Sequence, residues 1–285
     1  MPIYNDNRQL LGDSNHRRLV TMAFQELIWE NDIEFDMVLG TSTAGIAPAV
    51  SVANRNNVPL LIIQNRRPYV FSQPISTSPA IGSDIIVSTC PWAIPCGVTT
   101  ANALGLPFAY VRQSEKEYGM MQQIEGIVKE GQRATLFGHH MGDSYLDVAR
   151  NALAQKGVTM VTSVSSDLSS SMSPPDIKGA RVLVIEDLIS TGGSSAEEVD
   201  NVRWLGGKVS NCISIFNYEL DKAEKAFAAL KPACRVLSCL TYGKLLEVAE
   251  RTGYLNQSQI ASLTEWRAGP FGWGEKRGFP RVEKK

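Results

Sequence analysis

The sequence predicts an α/β fold with a doubly wound parallel sheet and a partly duplicated core. Three observations predict it. Apolar strands alternate with amphipathic helices along the 285 residues, which is typical of parallel sheets with helical crossovers. The strand–helix pattern recurs at near-constant spacing, with 48 positions between Asp36 and Asp84. A loop of mostly small residues follows most of the strands, at the sheet edge where such folds bind ligands.

The first two units are similar in length and layout. The first starts at Phe35 and reads FDMVLGTSTAGIAPAVSVANRNNVPLLII; the second starts at Ser83 and reads SDIIVSTCPWAIPCGVTTANALGLPFAYV. Each predicts a strand, a turn, an amphipathic helix and a second short strand. Pro59 and Pro107 occupy the same place in the two units. The likeness therefore extends over the whole unit.

Two further units follow, and they differ in the chemistry of their turns. The third starts at Arg133 (RATLFGHHMGDSYLDVARNALAQKGVTMV) and the fourth 48 positions later at Arg181. A period of this length is also found in solenoids. Four unequal units with different turns fit a duplicated α/β core better than a solenoid.

Two Ser- and Pro-rich stretches, 66–82 and 163–179, interrupt the units. Such composition does not continue a helix or a central strand, so we expect linkers or surface loops there. They divide the chain into an outer core, 1–65 plus 180–285, and an inserted inner copy, 83–162.

Composition excludes several classes of protein. The 28 basic and 29 acidic residues leave no basic footprint for nucleic acid. No apolar run is long enough to cross a membrane, and the first residues lack the layout of a secretory signal. The five cysteines include no C-x-x-C pair, which favours reduced thiols in a cytoplasmic protein.

The most informative segment is VLVIEDLISTGGSS, residues 182–195. Val182–Ile185 predicts a buried strand that ends at two carboxylates, Glu186 and Asp187. The small-residue loop then opens into a helix whose first turn is expected to be acidic (Glu197, Glu198). Backbone N–H groups at a helix start bind phosphate, and carboxylates accept hydrogen bonds from ribose hydroxyls. The loop therefore predicts a site for a phosphorylated sugar, with an ordinary strand-to-helix turn as the alternative.

This segment resembles the signature for 5-phosphoribosyl-1-diphosphate (PRPP) in type I phosphoribosyltransferases. Further segments resemble the orotate phosphoribosyltransferase family in the family's order: PIYNDNRQLL, GTSTAGIA, YVRQSEKEYGMMQQIEG and EDLISTGGSS, with IFNYEL and LTEWRAGPFGW similar to its bacterial form. The matches are scattered over most of the chain. The resemblance implies transfer of a phosphoribosyl group from PRPP to orotate.

The resemblance also implies roles for individual residues. Catalytic roles fall to Lys116, Arg112 and Asp187, and Ser190 corresponds to the position that touches orotate. The residues implied to bind PRPP are Glu186, Asp187, Thr191, Gly192, Gly193, Ser194, Arg112, Lys116 and Tyr118. The implied cofactor is Mg²⁺, carried on the diphosphate and ribose oxygens rather than in a protein cage.

Some positions depart from the family pattern. Gln113 stands where a Lys or Ser is common, and Tyr118 where a His is common. The chain begins inside the family's first motif, at Pro2, which predicts weaker orotate binding or loss of activity. The alternatives are therefore an inactive PRPP- or nucleotide-binding sensor, or a phosphoribosyltransferase for another base.

Each functional segment survives in one copy. The second unit has an altered turn, STCPWAIP, in which Trp92 replaces a small residue, yet it keeps the catalytic loop with Arg112 and Lys116. The third has Gly138–Asp143 in place of the acids and glycines. We therefore predict a nested duplication. The family resemblance implies a homodimer in which one subunit's loop reaches the other's site; here the inner copy is expected to take the partner's place.

Overall fold

The computed structural model of the chain describes residues 5–64, 66–75, 77–78, 80, 82–113, 123–139, 143–166 and 177–279. The strands are β1 (Met37–Gly40), β2 (Leu60–Gln64), β3 (Arg67–Phe71), β4 (Ile85–Ser88), β5 (Phe108–Val111), β6 (Ile124–Glu125), β7 (Arg133–His139), β8 (Thr159–Ser166), β9 (Val182–Ile189), β10 (Asn211–Asn217) and β11 (Arg235–Thr241). The helices are α1 (Ser14–Glu30), α2 (Ile46–Asn56), α3 (Ile94–Leu104), α4 (Asp143–Ala154), α5 (Gly193–Trp204), α6 (Asp221–Ala228), α7 (Tyr242–Arg251) and α8 (Gln257–Ala268). Short 3₁₀ helices lie at Asn7–Gly12, Pro91–Ala93 and Glu275–Arg277. The four strand–helix–strand units predicted from the sequence are confirmed.

The strands form two sheets. The outer sheet has the order β11-β10-β9-β1-β2-β3, and the inner sheet has the order β6-β5-β4-β7-β8. Neighbouring strands are parallel except for β2–β3 and β5–β6, which are antiparallel. The predicted α/β class with parallel sheets is confirmed.

Helices α1, α2 and α3 lie between the two sheets. Alternate strand residues, such as Val38 of β1 and Ile86 of β4, pack with these helices in one buried cluster. The opposite face of the outer sheet, including Leu39, packs on α5 and α6, and that of the inner sheet, including Val87, packs on α4. Both faces of these strands are buried, which explains why they are continuous apolar runs in the sequence.

The structure differs from the predicted linkers at two places. Residues 67–71 form β3, which pairs antiparallel with β2, and residues 163–166 belong to β8. Both strands lie at the edge of a sheet. An edge strand needs hydrogen bonds on one side only, so it tolerates a proline such as Pro68. Ser/Pro composition excluded a central strand but not an edge strand.

Strand β9 is longer than predicted. It was expected to end at Ile185, but it continues to Ile189 because β10 pairs with it as far as Asn217. Glu186 and Asp187 therefore belong to the strand itself. The helix that follows begins at Gly193, so Glu197 and Glu198 lie beyond its first turn and the predicted acidic first turn is wrong.

The five cysteines are free, as the sequence predicted, and four of them are buried. Burial raises the pKa of Cys96 and of Cys234 to about 11. These thiols are therefore protonated at neutral pH and unreactive. In the part of the chain that the structure describes, no helix combines the length and apolarity needed to cross a membrane.

Candidate active site

A cavity of about 290 Å³ opens at the carboxyl ends of β1 and β9, where doubly wound sheets bind ligands. Residues from both sheets contribute to it. Its lining residues are Ser42, Thr43, Ala44, Tyr110, Arg112, Glu186, Asp187, Leu188 and Ser194. Four predicted site residues, Glu186, Asp187, Ser194 and Arg112, thus lie around one space.

The Glu186 carboxylate is buried and held by three donors. The Thr41 hydroxyl donates to Oε1 at 2.7 Å, the Asp187 backbone N–H to Oε1 at 2.9 Å and the Ser195 hydroxyl to Oε2 at 2.7 Å. An ionised carboxylate accepts about four hydrogen bonds. Glu186 therefore joins β9 to the turn after β1 and to the start of α5, and keeps capacity for about one more donor.

Asp187 lies at the junction of two cavities. Asp187 lines the main cavity and also a narrower cavity that Asn7 and Arg8 help to form. The Asn7 side-chain amide donates to the Asp187 carbonyl at 2.7 Å, which connects the N-terminal segment to β9. The neighbouring carboxylates therefore differ: Glu186 ties elements together, whereas Asp187 faces the space that a ligand would fill.

The turn between β9 and α5 depends on glycine. Gly192 has φ of +73°, and a Cβ there would lie 2.9 Å from the Ala223 Cα. The next residue, Gly193, starts α5, whose first backbone N–H groups have no partner within the helix. Ser190, Thr191, Gly192 and Gly193 form this turn beside the cavity, and Ser194 lines it. The start of α5 therefore lies at the cavity, and helix starts are places where proteins commonly bind anions.

The turn after β1 packs directly against β9. A Cβ on Gly45 would lie 2.6 Å from the Ile185 carbonyl oxygen, so only glycine fits. The Thr41 backbone N–H donates to the same carbonyl at 3.1 Å, and the Ser42 hydroxyl donates to the Ile63 carbonyl at 3.2 Å. This tight packing forms the second wall of the cavity.

The opposite wall comes from β5 of the inner sheet. Tyr110 lies in β5 and Arg112 directly follows it, two positions further on, so both side chains project from the same face and line the cavity. The Arg112 guanidinium is 3.4 Å from the Glu125 carboxylate, and its backbone N–H donates to Gln123 at 2.8 Å. Arg112 therefore supplies positive charge opposite the carboxylates of β9.

Tyr110 is a site residue that the sequence interpretation missed. Its hydroxyl is buried and has no hydrogen-bond partner among the described residues. Burial raises the pKa of Tyr110, as do the charges of Glu125 and Asp187, so the hydroxyl stays protonated. A buried donor of this kind at a cavity wall points to a ligand atom as its partner. The alternation of Tyr110 with Arg112 was the signal that could have found it.

The remaining predicted residues are placed as follows. Lys116 and Tyr118 lie outside the described residues. The Gln113 amide donates to the Thr89 carbonyl at 3.3 Å, at the strand end of the inner sheet. Among the described residues, no group of three or more His, Cys, Asp or Glu could hold a metal ion.

The fold and the cavity together define a class: a doubly wound α/β protein with a candidate ligand site at the carboxyl ends of its parallel strands. No family model matches the chain. It is 28% identical to orotate phosphoribosyltransferase of Listeria innocua, over 96% of this chain and 84% of that one. It is 32% identical to the same enzyme of Bacteroides fragilis, over 67% of this chain and 66% of that one. The solved structure of Leishmania donovani UMP synthase is 18% identical and has a TM-score of 0.48. The match covers 93% of this chain and 36% of that one.

This chain belongs to the orotate phosphoribosyltransferase family.

Proposed function

We propose that this protein transfers the phosphoribosyl group of PRPP to orotate, giving orotidine 5′-monophosphate and diphosphate in pyrimidine nucleotide biosynthesis. The observation that carries the proposal is the single cavity shared by Asp187, Ser194 and Arg112. It combines a carboxylate for ribose, a helix start for phosphate and a cation for diphosphate. Family membership supports the same activity.

The 5′-phosphate would bind at the turn of Thr191, Gly192, Gly193 and Ser194. Its negative charge meets the backbone N–H groups and the positive end of α5 there. The ribose hydroxyls would donate to Asp187, and to the remaining acceptor position of Glu186. In this arrangement the sugar lies across the end of β9.

The reaction breaks the bond between ribose C1 and the diphosphate oxygen, and the electron pair leaves with the diphosphate. The orotate ring nitrogen then bonds to C1, and its N–H proton leaves to the diphosphate or to water. Positive charge develops on the ribose while negative charge develops on the leaving group, so fixed charges at both ends lower the barrier. Arg112 would neutralise the diphosphate, with Lys116 as a second cation, and the Tyr110 hydroxyl would donate to a ligand oxygen.

Mg²⁺ is the proposed cofactor. The carboxylate oxygens of Asp187 at the cavity are hard ligands, which suit this ion. When bound, Mg²⁺ would neutralise diphosphate charge, mostly through ligand oxygens and water. Asp187 is the residue that would approach it.

Ser190 is the proposed contact for the base. The five free thiols favour a reducing compartment, so we propose a cytoplasmic site of action. Family membership also suggests a homodimer. Within this chain, the two sheets pack together through the helices that lie between them.

The test is a spectrophotometric assay of orotate loss in the presence of PRPP and Mg²⁺. We expect turnover that depends on both substrates and falls strongly in Asp187→Asn. Saturable PRPP binding without turnover would support the inactive sensor instead. Turnover with a different base, but not with orotate, would assign the protein to another phosphoribosyltransferase activity.

A further inference from the structure

Five strands of the outer sheet repeat the five strands of the inner sheet. The order β10-β9-β1-β2-β3 of the outer sheet matches β8-β7-β4-β5-β6 of the inner sheet, including the antiparallel last pair. Ion pairs repeat as well: Arg181 binds Asp36 at 2.7 Å, and Arg133 binds Asp84 at 3.0 Å. Asp84 lies 48 positions after Asp36, and Arg133 lies 48 positions before Arg181.

The contacts between the copies are reciprocal. The Asn54 amide of α2 donates to the Thr99 hydroxyl of α3 at 2.9 Å, and the Asn102 amide of α3 donates to the Ser51 hydroxyl of α2 at 3.2 Å. Asn54 and Asn102 are equivalent at the 48-position offset, as are Ser51 and Thr99. Two copies are related by a two-fold axis when a residue of the first contacts a second residue type in the other copy and the reverse contact is also made. The copies therefore pack like the two subunits of a symmetric dimer.

The ligand chemistry is not symmetric. The inner counterparts of Glu186 and Asp187 are Gly138 and His139, which carry no carboxylate. The counterpart of Ala44 is Trp92, whose ring packs against Tyr69 with centroids 4.1 Å apart. In the other direction, Ile62 and Gln64 of the outer sheet stand where the inner sheet has Tyr110 and Arg112.

Buried charges hold the inner sheet in position beside the cavity. Glu125 of β6, only 1% exposed, pairs with Arg112 and also with Arg8 of the N-terminal segment. Arg8 is 4% exposed and pairs with Asp6 at 2.5 Å. Breaking a buried pair leaves an uncompensated charge, so these contacts resist separation. Glu125 is thus a positioning residue for Arg112.

We propose that the inner sheet is a second copy of the fold that has lost its own ligand site and instead completes the site of the outer sheet within the same chain. Each chain then carries one PRPP site. Tyr110 and Arg112 reach it in cis, and no second chain is required. The inference rests on the proposed function only in taking PRPP as the ligand.

The test is calorimetric titration of the full-length chain with PRPP and Mg²⁺. We expect one PRPP per wild-type chain and at least tenfold weaker binding in Arg112→Ala and in Asp187→Asn. The matched control is His139→Ala at the position equivalent to Asp187; it should keep wild-type affinity and stoichiometry. Thermal melting of each variant checks that it is folded.

The Arg112→Ala and Asp187→Asn variants are then co-expressed and purified together. If sites are completed in cis, the mixture contains no tight PRPP site. If sites are completed between chains, half of the randomly formed dimers contain one chain of each variant. Each of these mixed dimers has one complete site out of two, so about a quarter of the tight PRPP sites return. That recovery, or two PRPP bound per wild-type chain, would overturn the inference.

These outcomes are separable from failure of the proposed function. One PRPP per chain without orotate turnover removes the activity but supports the inference. A wild-type chain that does not bind PRPP overturns the site on which both depend.

Discussion

Adjacent carboxylates on β9 have different environments. Glu186 is buried and accepts from Thr41, Ser195 and the Asp187 backbone, whereas Asp187 lines both cavities. Sequence assigned both to the ribose because acids at a strand end are chemically alike. The three donors on Glu186 make it a residue that organises the site, whereas Asp187 is the carboxylate placed at the wall of both cavities.

Changing these two residues should therefore have different effects. Asp187→Asn should weaken PRPP binding at least tenfold and cost less stability than Glu186→Gln, because it turns a carboxylate at the cavity wall into a neutral amide. Glu186→Gln should lower the free energy of unfolding by about 1–3 kcal/mol, since the neutral amide oxygen accepts more weakly and the N–H₂ group replaces the acceptor of the Ser195 hydroxyl. Calorimetry and urea denaturation measure the two quantities. Equal effects of both substitutions on stability would contradict this division of roles.

Glu198 predicts a pH dependence of stability. Burial raises the pKa of Glu198 to about 7, and the charges of Glu197 and Glu186 act in the same direction. A carboxyl with a raised pKa holds its proton longer in the folded state, so its contribution to stability is lost as pH rises from about 4.5 to 7. Glu198→Gln should be more stable than wild type at pH 8, by about 1–2 kcal/mol after allowing for partial exposure.

Urea denaturation at pH 5 and pH 8 measures the effect, with Glu197→Gln, its exposed neighbour, as the control. The difference between Glu198→Gln and wild type should be small at pH 5 and should grow toward pH 8. A difference independent of pH would contradict the assignment.

At the scale of elements, the turn between β9 and α5 shows how glycine position matters. Gly192 needs a positive φ and a close approach to Ala223, whereas a Cβ on Gly193 meets nothing within 4 Å. Both are glycines of one predicted phosphate loop, and the sequence does not distinguish them.

Gly192→Ala should therefore destabilise the protein by about 1–3 kcal/mol and weaken PRPP binding, because both the backbone and α6 must shift. Gly193→Ala should leave the melting temperature unchanged or slightly raised, since alanine favours the helix. Thermal melting compares the two. If they melt alike, the close approach at Gly192 is not what the turn requires.

At the scale of the whole molecule, a buried cation breaks the two-fold symmetry of the contact between α2 and α3. Arg17 of α1 donates to Asn102 at 2.9 Å and to the Leu106 carbonyl at 2.6 Å, and burial lowers its pKa to about 10. The equivalent Asn54 side-chain oxygen has no partner among the described residues. Helix α1 thus joins the outer core to the inner copy on one side only.

Asn102→Ala should consequently cost about 1–2 kcal/mol more than Asn54→Ala, although each removes one hydrogen bond across the interface. The excess comes from leaving a donor of the buried Arg17 without its acceptor. Urea denaturation of the two variants measures the difference. Equal losses would show that Asn102 does not stabilise the cation.

The sequence alone determined the near-constant spacing of the repeated units, their strand–helix–strand layout and the chemistry of the loop at 186–195. Periodicity and side-chain type are local properties, so they can be followed along the chain. Only the tertiary structure decided that β9 continues to Ile189, that 67–71 form an edge strand, and that Tyr110 and Arg112 face Asp187. Those features depend on which strands and sheets pack together, and that information is not local to any segment.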